Sequence, residues 1–84
     1  MQPIDLEEAK YILSKTSRRF DSQMYVQSIE EHYDGELYKV FFQRGYHSYI
    51  LEVEGERFAS WFSSEDQPED MIKAIRLAAE ELAT

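Results

Sequence analysis

Residues 33–56 read YDGELYKVFFQRGYHSYILEVEGE, and the fold turns on how this stretch is read. It holds all three glycines of the chain, Gly35, Gly45 and Gly55, ten residues apart, each preceded by a polar residue: Asp34, Arg44 and Glu54. Glycine tolerates the positive φ that tight two-residue hairpin turns require, and Asp-Gly is a strong hairpin signal. The runs beside the glycines are rich in Tyr, Phe, Val, Ile and Trp, residues that suit a half-buried pleated surface. The spacing predicts a four-stranded antiparallel meander, its last strand following the Glu54-Gly55 turn.

Outside this stretch the apolar residues recur at helical spacing. Asp5 is a good N-cap, with Glu8 three residues on as in a capping box. Leu6, Ala9, Leu13, Thr16 and Phe20 follow on one face, with Ile12 on its flank and Arg18 and Arg19 at the carbonyl end. A second helix is expected after residues 63–67, with Pro68 in its first turn. Met71, Ile72, Ile75, Ala78, Ala79 and Leu82 form its apolar stripe, and Glu69–Lys73 and Arg76–Glu80 are pairs on its wet side. The expected fold is a single α+β domain over residues 1–84. It is a two-layer sandwich of order α-β-β-β-β-α, with both helices on one face of the sheet.

If Asp34-Gly35, Arg44-Gly45 and Glu54-Gly55 are the central pairs of two-residue turns, Glu30 lies opposite Lys39 and Glu52 opposite Arg57. Opposite charges across a ladder favour that register. A bulge in the second turn would exchange the faces of the later strands. In this register Tyr25, Ile29, Tyr33, Tyr38, Val40, Phe42, Tyr49, Leu51, Val53, Phe58 and Phe62 share the face that the helices cover, with Gln27 and His47 among its polar members. The other face mixes Ser28, His32, Gln43 and Ser48 with Met24, Val26, Leu37, Phe41, Tyr46, Ile50, Ala59 and Trp61. An open apolar patch rich in aromatics marks an interaction surface. Met24, Val26, Phe41, Tyr46, Ile50 and Trp61 are therefore the candidate interface residues. A sheet-to-sheet homodimer is the simplest assembly, because one patch meets its symmetry mate. Edge-to-edge pairing through the first or last strand is the other, since few prolines or lysines guard those edges.

Composition narrows the function. The 84 residues carry a net charge of −8 and no cysteine, so disulfides and thiolate chemistry are excluded. In residues 1–20, Lys10, Lys15, Arg18 and Arg19 face Asp5, Glu7 and Glu8. The rest is strongly acidic, with Glu30, Glu31, Asp34 and Glu36, then Glu52, Glu54 and Glu56, then Glu65, Asp66, Glu69 and Asp70. Such a surface repels phosphate backbones. In outline the order resembles the double-stranded-RNA-binding domain, which has one strand fewer, but the basic residues that grip phosphate are missing, so nucleic acid is not the expected partner. No phosphate-binding glycine loop opens a helix. His32 and His47 fall on opposite faces. His32 with Glu30, Glu31 and Asp34 reads as a solvated turn, His47 as a core-edge histidine, and Ser63-Ser64 as a helix cap. No cofactor, metal, small-molecule substrate or enzymatic activity is expected. No apolar run approaches the ~20 residues of a membrane span, and no signal peptide is evident, so a cytoplasmic protein is expected. The expected function is a non-catalytic protein-interaction module that self-associates through the helix-free face. The alternative is an acidic inhibitor that imitates nucleic acid and binds a basic protein.

Overall fold

In the computed structural model, which describes residues 4–63 and 68–83, Asp5 caps the first helix as its sequence context predicts. Its Oδ1 accepts from the backbone N–H of Glu7 at 3.0 Å and Glu8 at 3.3 Å. Helix α1 (Leu6–Ser17) leads into strands β1 (Tyr25–His32), β2 (Leu37–Arg44) and β3 (His47–Glu54), then helices α2 (Gly55–Trp61) and α3 (Glu69–Leu82). The α+β class and the antiparallel sheet stand. The fourth strand does not: the sheet has three strands in the order β1-β2-β3, and its intended fourth member is α2.

The reason lies in the spacing of Phe58, Trp61 and Phe62. At i, i+3 and i+4 they share one helix face; as a strand they would be divided between two. Phe58 and Trp61 are 0% and 2% exposed. The Phe58 ring stacks on Tyr38 of β2 at 4.3 Å between centroids and meets the edge of Phe62 at 5.0 Å. Gly55 thus opens a helix rather than a hairpin. Its requirement for glycine is close approach: a Cβ there would sit 1.9 Å from the Gly35 carbonyl oxygen. Its N–H donates to the Glu36 carbonyl at 2.8 Å, docking the start of α2 on the β1–β2 turn.

The first turn is the expected one. Glu36 N–H donates to the Tyr33 carbonyl at 3.1 Å, and Asp34 and Gly35 take φ +54° and +89°, the type I′ signature. Tyr33 itself also has a positive φ, +55°. His32 stands opposite Leu37 and Glu30 opposite Lys39, as the sequence predicts. The second turn is centred on Gly45-Tyr46, one residue later than expected, with Arg44 opposite His47 and φ +61° at Gly45. Moving a turn centre by one residue moves the pairing by two, so the faces of β3 survive while its partners change. Glu52 consequently lies opposite Lys39, at 3.9 Å, and not opposite Arg57, which sits on α2.

The bulge that does exchange faces is in β1. Val26 pairs with Phe42 and Ser28 with Phe41, leaving Gln27 as the extra residue. The alternation therefore inverts: Tyr25 and Gln27, expected inside, are exposed, whereas Met24 and Val26, expected outside, are 0% and 2% exposed. Ala9 and Leu13 of α1, Phe58 and Trp61 of α2, and Met71, Ile75, Ala78 and Leu82 of α3 form one core with Val26, Val40, Phe42 and Val53. All three helices thus share one side of the sheet. Phe20, placed on the helical stripe by its spacing, lies beyond the end of α1 and is exposed.

Two buried serines join α1 to the irregular strand. Ser14 Oγ accepts from the Val26 N–H at 3.0 Å, and Ser17 Oγ donates to the Ser14 and Met24 carbonyls at 2.8 and 3.3 Å. β1 is an edge strand and the Val26 N–H is not part of its ladder with β2; a buried N–H must find a partner, and Ser14 supplies it. Arg44 at the end of β2 donates to Asp21 at 2.5 Å, and Asp21 also accepts from the Gln23 N–H at 3.0 Å. That pair ties the α1–β1 connection to the second hairpin.

Candidate interaction surface

The side of the sheet away from the helices is open. Antiparallel pairing sets its rows: Tyr25 with Gln43 and Ser48, Ser28 with Phe41 and Ile50, Glu30 with Lys39 and Glu52, His32 with Leu37 and Glu54. Two halves result. Towards the Gly45 turn the side chains are apolar or uncharged: Phe41 is half-buried, Ile50 is 50% exposed, Tyr25 is exposed and Tyr46 at the turn is fully exposed. Towards the Gly35 turn they are mostly charged, with Lys39 between Glu30 and Glu52.

Of the six candidate interface residues, the structure leaves Phe41 and Ile50 on this side, with Tyr46 exposed at the turn next to it. Phe41 and Ile50 are direct cross-strand neighbours, closer than the expected register had them. Met24, Val26 and Trp61 are not part of it. The bulge turns the first two inward, and α2 carries Trp61 under the helical layer. Tyr25 takes the vacated place. The parity switch between Val26 and Ile29, two apolar residues that cannot share a face of a regular strand, is the signal that could have revealed this.

Trp61 has a second role. Its indole N–H donates to Asp70 Oδ2 at 2.8 Å, and Arg57 grips the same carboxylate through Nε at 2.6 Å and Nη2 at 3.1 Å. The Arg57 guanidinium lies 5.5 Å from the centroid of the Trp61 ring. The cluster fastens the first turn of α3 to α2. The Arg57 hydrogen bonds, seconded by the indole N–H, hold the Asp70 carboxyl below its usual range. A depressed carboxylate stabilises the fold above the unfolded-state value, about pH 4, and loses that contribution as pH falls towards the folded-state value. Asp70→Asn is therefore expected to leave a shallower acid limb below about pH 4 than wild type shows, read as urea midpoint against pH. An unchanged limb would mean that Asp70 is not coupled to folding.

The histidines build no centre. His32 Nε2 lies 2.9 Å from Glu30 Oε1 on the open face, and His47, expected at the core edge, is exposed. Among the described residues no group of three or more His, Asp or Glu side chains is arranged to hold a metal ion. An open groove of about 410 Å³ between α1 and β1 is lined by residues including Lys10, Tyr11, Arg18 and Tyr25. Glu65 and Asp66 lie outside the described residues, as does Ser64. The chain matches no protein-family model, no curated protein and no solved structure.

Proposed function

We propose that this chain is a non-catalytic interaction module that self-associates as a homodimer through the helix-free side of its sheet. The observation that carries the reading is the Phe41–Ile50 pair, flanked by Tyr25 and Tyr46, with none of the three helices covering it. Large side chains of this kind, aromatics above all, concentrate binding energy where a partner excludes water. Three strands of eight residues present a face about 14 Å by 27 Å, on the order of 400 Å². A stable interface takes about 800 Å² from each partner, so association through this side is weak and concentration-dependent.

The acidic-mimic reading draws less support. Glu52 is engaged by Lys39, and Asp70 by Arg57 and Trp61, so carboxylates in two of the acidic rows are already partnered inside the molecule. No helix among the described residues is long and apolar enough to cross a membrane, and the acidic, cysteine-free composition suits the cytoplasm.

The test is light scattering coupled to chromatography, over a concentration series at low and high salt. Wild type is expected to move from monomer to dimer with concentration, with little dependence on salt. Ile50→Lys places a charge in the patch and is expected to weaken association at least tenfold while leaving the melting temperature within a few degrees of wild type. A wild-type chain that stays monomeric throughout would refute the reading. Association with a basic protein that weakens steeply with salt would favour the acidic mimic instead.

A further inference from the structure

The two edges of the sheet are unlike. Along β1 the row of backbone groups is interrupted: Gln27 bulges, the Val26 N–H is taken by Ser14, and the chain entering the strand is held by Ser17. Glu30 and Glu31 add adjacent charges further along. These are devices that blunt an edge. β3 has neither a bulge nor a side chain bonded to its outward backbone among the described residues, and its two carboxylates, Glu52 and Glu54, alternate with uncharged residues. All eight residues from His47 to Glu54 pair with β2 without a shift, and among the described residues no strand lies beyond it. It contains no proline and no lysine. Its unshifted register sets its outward backbone groups in a regular row, which no other strand among the described residues pairs.

We infer that β3 is the joining edge: two copies pair β3 to β3, antiparallel, about a two-fold axis at Ile50, to make one continuous six-stranded sheet. The inference rests on self-association but not on face-to-face contact: the copies meet at the β3 edge, and their open faces end side by side on one side of the joined sheet. A two-fold normal to the sheet keeps the faces, so all helices lie on one side and both open faces on the other. With the axis at Ile50, the Ile50 side chains of the two copies are neighbours. Tyr49 meets Leu51 of the second copy, and His47 meets Val53. Ser48 meets Glu52, Tyr46 meets Glu54, and no carboxylate faces another.

Other registers are poorer. An axis at Leu51 sets Ile50 against Glu52, and one at Glu52 opposes two carboxylates. An axis at Tyr49 runs the end of the strand into the Gly45 turn. At Ile50, by contrast, the outer row reads Phe41, Ile50, Ile50, Phe41 across the joint. Each isoleucine gains a cross-strand apolar neighbour on the side where it had none, and the joint gains backbone hydrogen bonds between the copies.

Disulfide trapping tests this in a chain that has no cysteine of its own. Directly opposed residues have Cα atoms about 4.5–5.5 Å apart, inside disulfide range. Ile50→Cys is expected to cross-link between copies at least tenfold faster than Glu52→Cys, whose two copies would stand about 14 Å apart. Mixing Ser48→Cys with Glu52→Cys is expected to give the mixed dimer. If instead Phe41→Cys cross-links as readily as Ile50→Cys and the Ser48→Cys with Glu52→Cys mixture gives no mixed dimer, the copies meet face to face. Edge pairing would then be wrong while self-association stood. A wild-type chain that stays monomeric by light scattering, with no variant cross-linking preferentially, would overturn both.

Discussion

Gly55→Ala is expected to lower the melting temperature by roughly 10–20 °C, more than an alanine at Gly45. The added methyl would lie 1.9 Å from the Gly35 carbonyl oxygen and within 3.2 Å of the Glu36 Cα, all backbone atoms with no rotamer in which to yield. Either the start of α2 lifts from the β1–β2 turn, breaking the bond from the Gly55 N–H to Glu36, or the turn itself deforms. Overpacking of this kind costs about 1–3 kcal/mol and the lost hydrogen bond about 1 more. At some 4–8 °C per kcal/mol for a domain of this size, the shift follows. Gly45→Ala is the control. Nothing lies within 4 Å of its Cβ position, so only its φ of +61° resists the change, at about 1–2 kcal/mol. Equal effects at the two sites would mean that the close approach at Gly55 is absent in solution.

Trp61→Ala is expected to destabilise by about 3–5 kcal/mol, the cost of deleting a large buried ring, and so to bring a small domain close to unfolding. The indole is 2% exposed, packs against Phe58 at 5.8 Å and donates to Asp70. Its removal opens a cavity between α2 and α3 and leaves the Asp70–Arg57 pair without its third member. Urea denaturation followed by circular dichroism reads the loss. Because Trp61 is the chain's sole tryptophan, its fluorescence in the native wild type is expected to be blue-shifted from that of free indole and to move red on unfolding. A variant as stable as wild type would return Trp61 to the open face that the four-strand reading gave it.

Much of this architecture was legible in the residues. Asp5 marked the first helix, the stripe from Met71 to Leu82 marked the last, and Asp34-Gly35 fixed the first hairpin with Glu30 opposite Lys39. The inward set Tyr38, Val40, Phe42, Tyr49, Leu51 and Val53 also follows from simple alternation. Two things were hidden, for different reasons. The α2 segment is short, and seven residues with two aromatics, followed by a third at Phe62, satisfy a strand's propensity as well as a helix's; only the i, i+3, i+4 spacing of Phe58, Trp61 and Phe62 separates them. The bulge at Gln27 is a tertiary event, set by the Ser14 hydroxyl and the fit of Met24 and Val26 under α1. Of the candidate interface, the residues on the regular part of the meander kept their faces. Those beyond the bulge or on α2 lost them.

The β1–β2 loop has a consequence for the order of assembly. Tyr33 and Asp34 both occupy the left-handed region beside Gly35, a run that for ordinary side chains costs about 1–2 kcal/mol per residue. The clasp from Gly55 to Glu36 steadies that loop only once α2 has docked. The β2–β3 hairpin, whose bend at Gly45 has open space around it, bears no such debt. It can nucleate by itself, with β1 recruited afterwards as the C-terminal helices close. Substitutions near Gly45 are therefore expected to act chiefly on the rate of folding, and those at Gly55 on the rate of unravelling, which stopped-flow refolding and unfolding would separate.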